Sequence, residues 1–375
     1  MPQYLGLDVH KTYLHGYLFR PGQKGVHFRV PNTPAGWDRL VETYVTPETW
    51  VALEATGNAF AVYDRLVERA GSVAVAHPVA LKRLGAGRHT DRVDAERLAQ
   101  MLALGTLPRV WVPPAEVRAV RALIQHVRAC QEAATQWTNR AKSVLLRAGW
   151  SLPRGTAVGP WLAAHGCELD VETQLVVTSA LTLAEHAAAE ATRLRAEIVR
   201  RVLDQPALAW LWSLDGIGPW TAVVIWAWIG DPHRFRHARQ VTRYAGWDPS
   251  VHQSGEADWR GRISRQGPAV LRHALLEAAW QAIRRVDGPW RAFYDRVVGR
   301  LGSRRALVAV ARKLLVAAWR IWRDARWAHE MDPGRYHTKV QRIRRTIAQQ
   351  PPYPLRDRLA QWGVQPVIPP AAAEA

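Results

Sequence analysis

Four carboxylates stand where acids are costly or paired. Asp8 lies inside GLDVHK and Glu54 inside VALEATG, each in a run that otherwise reads as a buried strand. A buried charge requires a partner, a metal or a proton. Asp91 and Asp94, in TDRVDAERLAQML, are three residues apart at the start of a helix and therefore share one face. Two acids from strands and two from a helical turn make an oxygen cage suited to Mg²⁺ or Mn²⁺, hard cations that take carboxylate ligands and assist phosphoryl transfer. Ordinary roles compete. Asp91 and Asp94 also suit a first helical turn behind a Thr90 cap, and Asp8 suits a strand end bonded to a turn. Glu54, between Leu53 and Ala55 with no adjacent basic residue, is the hardest to explain that way.

The second half of the chain offers phosphate-binding chemistry. LWSLDGIGPWTAVVIWAWIG places Gly216 and Gly218 in a turn before an apolar helix containing Thr221. This has the look of a helix-hairpin-helix, in which glycines let backbone N–H groups approach a phosphate. A tight turn between packed helices is the competing reading. Arg234, Arg236, Arg239 and Arg243 follow, suited to phosphates. His233 and His237 have the i,i+4 spacing of metal ligands without an evident third ligand. Further on, Arg260, Arg262, Arg265 and Arg272 surround two serines, Ser254 and Ser264, in a polar segment with several glycines. By composition alone these are loop serines.

Composition ranks the partners. Lys and Arg number 51 against 32 Asp and Glu, a formal net charge of +19, which favours a polyanion and above all nucleic acid. A hydrophobic content of 48% argues against wholesale disorder. Cys130 and Cys167 lie far apart with no CxxC, against a zinc site or a disulfide framework. The absence of a bilayer-length apolar run and of a signal-peptide pattern points to a cytoplasmic chain.

The elements that must position these residues follow from periodicity. Residues 1–110 alternate strand and helix signals in the order β-β-β-α-β-α-β, a mixed sheet covered by helices. Thr33 is placed as an N-cap with Pro34 at the first helical position. Between 111 and 205, Val117, Val120, Ile124, Val127, Ala134, Trp137, Ala141 and Val144 mark one long amphipathic helix. Leu183, Ala187, Ala191, Leu194, Ile198 and Val202 mark a second. The pair reads as an antiparallel arm, a coiled-coil dimerisation element or an ordinary bundle. Residues 206–345 are mainly helical, with the tryptophans mainly core, and 346–375 read as a poorly ordered tail.

GLDVHK, ALEATG and TDRVDAERLA, in this order and spacing, resemble the DEDD transposases of insertion-sequence family one hundred and ten. The resemblance covers nearly the whole chain apart from the tail. It implies an RNase H-like, RuvC-like first domain in which Asp8, Glu54, Asp91 and Asp94 bind the metal. QSG followed by GRISRQGPAVLR resembles the family's C-terminal signature, which implies Ser254 as a nucleophile. Ser264 matches the serine of the downstream segment, where Arg265 replaces a more usual lysine. The resemblance further implies recombination of double-stranded target and donor DNA, a noncoding guide RNA and a homo-oligomer (dimer or tetramer). The serine and the tetrad, distant in sequence, must then meet by folding or assembly.

Overall fold

Tyr4, Gly6 and Asp8 alternate with Leu5, Leu7 and Val9, and the strand they form, β1 (Gln3–Val9), lies inside a six-stranded sheet. The structure, a computed structural model, describes residues 2–84, 90–254, 257–329 and 331–365; the side chains of Cys167 and of 249–262 are outside that description. Two compact units divide the chain at Pro113 and Pro114.

In the first unit, β2 (Tyr13–Phe19) and β3 (Val26–Pro31) add antiparallel to one side of β1. On the other side β4 (Thr49–Glu54) and β5 (Ser72–Ala76) run parallel, and the two-residue β6 (Arg109–Val110) closes the edge antiparallel to β5. The order is β3-β2-β1-β4-β5-β6. One face buries Leu5, Leu7, Val51 and Leu53 against α1 (Pro34–Tyr44) and α2 (Ala59–Val67). The other buries Tyr4, Ala52 and Ala74 against α3 (Pro78–Leu84) and α4 (Asp91–Ala103), whose Leu98, Ala99 and Leu102 face the sheet. Each fully buried leucine contributes about 2 kcal/mol. α1 begins as expected: Thr33 Oγ1 accepts from the Gly36 amide at 3.2 Å, and Pro34 occupies the first turn.

The second unit is mainly helical. α5 (Ala115–Arg147) and α7 (Val171–Arg201) pack antiparallel, with the short α6 (Val158–His165) between them in sequence. The start of α5, at Val117 to Val127, shares a core with Ala191 to Val199 of α7. Its end, at Ala141 and Leu145, meets Val177 and Ala180. Two expected stripe positions differ. Leu183 is 41% exposed because the seam passes through Ala184, and Trp137 is 40% exposed near the middle of α5.

Beyond the arm come α8 (Pro206–Trp212), α9 (Pro219–Ile229), α10 (Ala238–Tyr244) and the hairpin β7 (Pro249–Ser254) and β8 (Ala257–Ile263). α11 (Ala269–Ala282), α12 (Pro289–Leu301), α13 (Ser303–Arg323), α14 (Pro333–Gln349) and α15 (Leu355–Ala360) complete the unit. α9 is buried continuously from Thr221 to Ile229 and packs on α11. Residues 346–365 depart from the expected tail. α14 continues to Gln349, and α15 is held where Arg358 straddles the Glu190 carboxylate of α7 at 2.9 and 3.0 Å. Tyr353 adds a hydrogen bond to the same carboxylate at 2.6 Å. Residues 366–375 lie outside the described residues.

Candidate active site

Period-two alternation puts Asp8 on the same sheet face as Tyr4 and Gly6, the face covered by α4. Glu54 ends the neighbouring parallel strand, one residue beyond the Leu7–Leu53 pair, and so lies beside Asp8. Gly6 then decides how near the helix can come. A Cβ at that position would lie 1.9 Å from the Ala95 carbonyl oxygen, so only a glycine lets α4 rest on β1 at this depth. Thr90 starts the helix, its Oγ1 accepting from the Val93 amide at 3.3 Å. The first turn thereby delivers Asp91 and Asp94 to the end of β1. The acids sit behind a Thr90 cap and their charges also act on Asp8.

His10 links the cluster. Its Nε2 lies 3.1 Å from Asp8 Oδ2 and 3.1 Å from Asp91 Oδ1, and ligand-capable atoms of the three residues fall within 4.8 Å of one another. Tyr13 donates its hydroxyl to Asp91 Oδ2, and the Arg29 guanidinium lies 3.2 Å over the Tyr13 ring. The electrostatics are those of crowded acids. Burial pushes the Asp8 carboxyl above its ordinary range; His10 opposes this, and the charges of Asp91 and Asp94 add to it. Burial also raises Glu54, followed by repulsion from Asp8, with Lys82 opposing. The Tyr13 hydrogen bond holds Asp91 below the usual carboxylate range. Converging, partly desolvated oxygens repel one another unless a cation joins them, so this donor set fits a hard divalent ion. His10, Tyr13 and Arg29 escaped the sequence reasoning. One available signal was the two-residue spacing of Asp8 and His10, which puts both on one side of an extended chain.

Residues 5–149 match the DEDD transposase family of the IS110 group, and residues 208–295 match the transposase IS116/IS110/IS902 family. The Sinorhizobium fredii protein y4rJ, named as a transposase, is 30% identical over 65% of this chain and 68% of its own length. The chain belongs to the IS110 family of DEDD transposases. The Coxiella burnetii transposase for insertion sequence element IS1111A is 24% identical over 72% of this chain and 76% of its own. The Yersinia enterocolitica transposase for element IS1328 is 23% identical over 73% and 83%.

In the second unit of the transposase, Ser254 is the last residue of β7 and pairs with Ala257, while its side chain lies outside the described residues, as do those of Arg260 and Arg262. Ser264 donates to Asp248 Oδ1 at 2.6 Å, and its amide bonds the Asp248 carbonyl at 2.8 Å. Arg265 is exposed and adopts φ 54°, a conformation rare outside glycine.

The expected phosphate contacts divide. Arg236, Arg239 and Arg243 are exposed, Arg243 lying 3.9 Å from Asp248. Arg234 is corrected. Its guanidinium donates to the Ile229 and Trp228 carbonyls at 2.9 and 3.0 Å and lies over Phe235 and Tyr244, closing the end of α9 rather than facing a ligand. Arg272 likewise donates to the Ala245 and Gly267 carbonyls at 3.0 and 2.7 Å. Thr221 is also corrected, being 7% exposed within the buried α9. Gly216, at φ 82°, is held against α11, where a Cβ would lie 2.3 Å from the Ala278 carbonyl oxygen. Gly218 caps α9 with open space where its Cβ would be. Among the described residues no helix is long and apolar enough to cross a membrane.

Proposed function

We propose that this transposase cuts and rejoins double-stranded target and donor DNA through a phosphoserine link at Ser254, assisted by Mg²⁺ or Mn²⁺ at Asp8, Glu54, Asp91 and Asp94. The observation that carries the reading is the gathering of Asp8 from β1 and Asp91 from α4 around His10, with Glu54 of β4 within electrostatic reach of Asp8. When bound, the cation neutralises charge on the scissile phosphate and eases departure of its leaving oxygen. The four carboxylates bind and orient; His10 and Tyr13 keep Asp8 and Asp91 aimed before the ion arrives. Ser254 Oγ forms a bond to phosphorus while the bond from phosphorus to one sugar oxygen breaks. The hydroxyl proton passes to a base, and the departing oxygen takes up a proton. Reversal with a different strand reseals DNA without nucleotide hydrolysis, because the bond energy is kept in the serine ester.

The finer parts of this reading come from the family resemblance and, for the coiled coil and the hairpin, from helix periodicity and the glycine turn. The first unit is RuvC-like, residues 111–205 form a coiled-coil dimerisation region, and residues 206–345 carry the serine and a helix-hairpin-helix around Gly216 and Gly218. The enzyme works as a dimer or tetramer in a prokaryotic cytoplasm, at the nucleoid. An element-encoded noncoding RNA pairs with both DNAs, so base pairing selects sequence while the protein grips the backbone. A net charge of +19 supports polyanion binding of this kind. Ser254→Ala is the test. It abolishes strand transfer and any covalent protein–DNA adduct; continued metal-dependent cutting by that variant identifies a hydrolytic nuclease instead. RNA that copurifies with the expressed protein and is complementary to the element's ends tests the guidance.

A further inference from the structure

Residues of α12 and α13 line a groove of 1380 Å³ in the second unit. This exceeds the roughly 300–1,000 Å³ of small-molecule pockets and suits an extended ligand. Its floor is apolar and aromatic, with Trp290 and Phe293 on α12 facing Val308, Val316 and Ala317 on α13. Its rim carries Arg296, Arg304, Arg305, Arg312 and Lys313, all exposed and none in a salt bridge among the described residues. Lys313 Nζ lies 4.1 Å from the Phe293 ring centroid, so cation and aromatic share one surface. Ile263 and Arg265, where β8 ends, also line the groove, which places it at the base of the hairpin bearing Ser254.

We propose that this groove holds an unpaired DNA strand, with its bases against Trp290 and Phe293 and its phosphates on the rim arginines. Charge complementarity selects a polyanion, since no described acidic residue lines the groove. The aromatic floor selects single strands, because duplex DNA buries the base faces that stacking requires. Between the two kinds of single strand, DNA is chosen because the family acts on DNA. The inference rests on the family's action on DNA and requires neither the serine ester nor a guide RNA.

Fluorescence anisotropy on the full chain tests it, using labelled oligodeoxyuridylate, oligouridylate of equal length and a DNA duplex. Trp290→Ala weakens oligodeoxyuridylate binding roughly tenfold and duplex binding less than about twofold, while Trp290→Phe retains most of the affinity. The double variant Arg304→Gln/Arg312→Gln, at exposed positions, lowers the salt slope for the single strand by about 1.4 and serves where Trp290→Ala does not fold. An equal loss on single strand and duplex, unchanged affinity in both variants, or oligouridylate binding as tight as its deoxy counterpart overturns the assignment. None of these readings depends on cleavage, so loss of the proposed serine mechanism would leave this result standing.

Discussion

Replacing Gly6 by alanine tests whether helix-on-strand contact sets the metal centre. The added Cβ would lie 1.9 Å from the Ala95 carbonyl oxygen and 2.7 Å from the Ala99 nitrogen, both backbone atoms that cannot swing aside. Real Cβ contacts essentially never fall below 3.0 Å, so α4 must recede from β1. The displacement is about 1 Å, and Asp91 and Asp94, within a turn of Ala95, move with it. Metal ligation tolerates roughly 0.2 Å, and a misplacement near 1 Å costs on the order of 100-fold in rate. Overpacking of this kind costs about 1–3 kcal/mol, so the variant stays folded with a lower melting midpoint. The assay is strand transfer on DNA carrying the element's ends, paired with thermal melting with and without Mg²⁺. Gly6→Ala should lose transfer about 100-fold and most of the Mg²⁺-induced rise in midpoint. Transfer within about threefold of the wild type would refute the reasoning that this close approach positions the acids.

Tyr13→Phe removes the donor to Asp91 while keeping the ring beneath Arg29, and should weaken Mg²⁺ binding about tenfold by titration calorimetry, with little change in melting of the metal-free protein. Lys339 gives a pH prediction. Burial lowers its ammonium to about 8 while it donates to the Trp212 and Leu214 carbonyls, against 10.5 when unfolded. The unfolded chain therefore binds more protons between these values, and stability rises with pH across that window and is lost as pH falls through about 8. Urea unfolding should show the wild type gaining up to about 3 kcal/mol across the window relative to Lys339→Met. Truncation after Gln350 removes Tyr353 and Arg358 from Glu190, and should lower the melting midpoint and speed amide exchange in the second half of α7.

Much of the fold was legible because its signals are local. Thr33 and Thr90 cap helices where their positions suggested, and the apolar runs around Asp8 and Glu54 are strands, as read. The arm helices were visible as stripes, but the register of their seam was not. Leu183 and Ala184 are neighbours in sequence, and which of them turns inward depends on the partner helix. Arginines were legible as charge and illegible as role. Arg234 and Arg236 stand two apart in one basic run, yet the first is spent on carbonyls at the end of α9 and the second is exposed.

By itself, the sequence determined the acids, their order, the strands and helices that carry them, and the excess of positive charge, because each is a matter of residue type and short-range spacing. Only the tertiary structure decided that His10 joins Asp8 to Asp91, that Gly6 admits α4, that Thr221 is buried, and that residues of α12 and α13 line a cationic, aromatic groove. Those outcomes depend on distances between segments far apart along the chain, which packing of the whole core sets and no local pattern encodes.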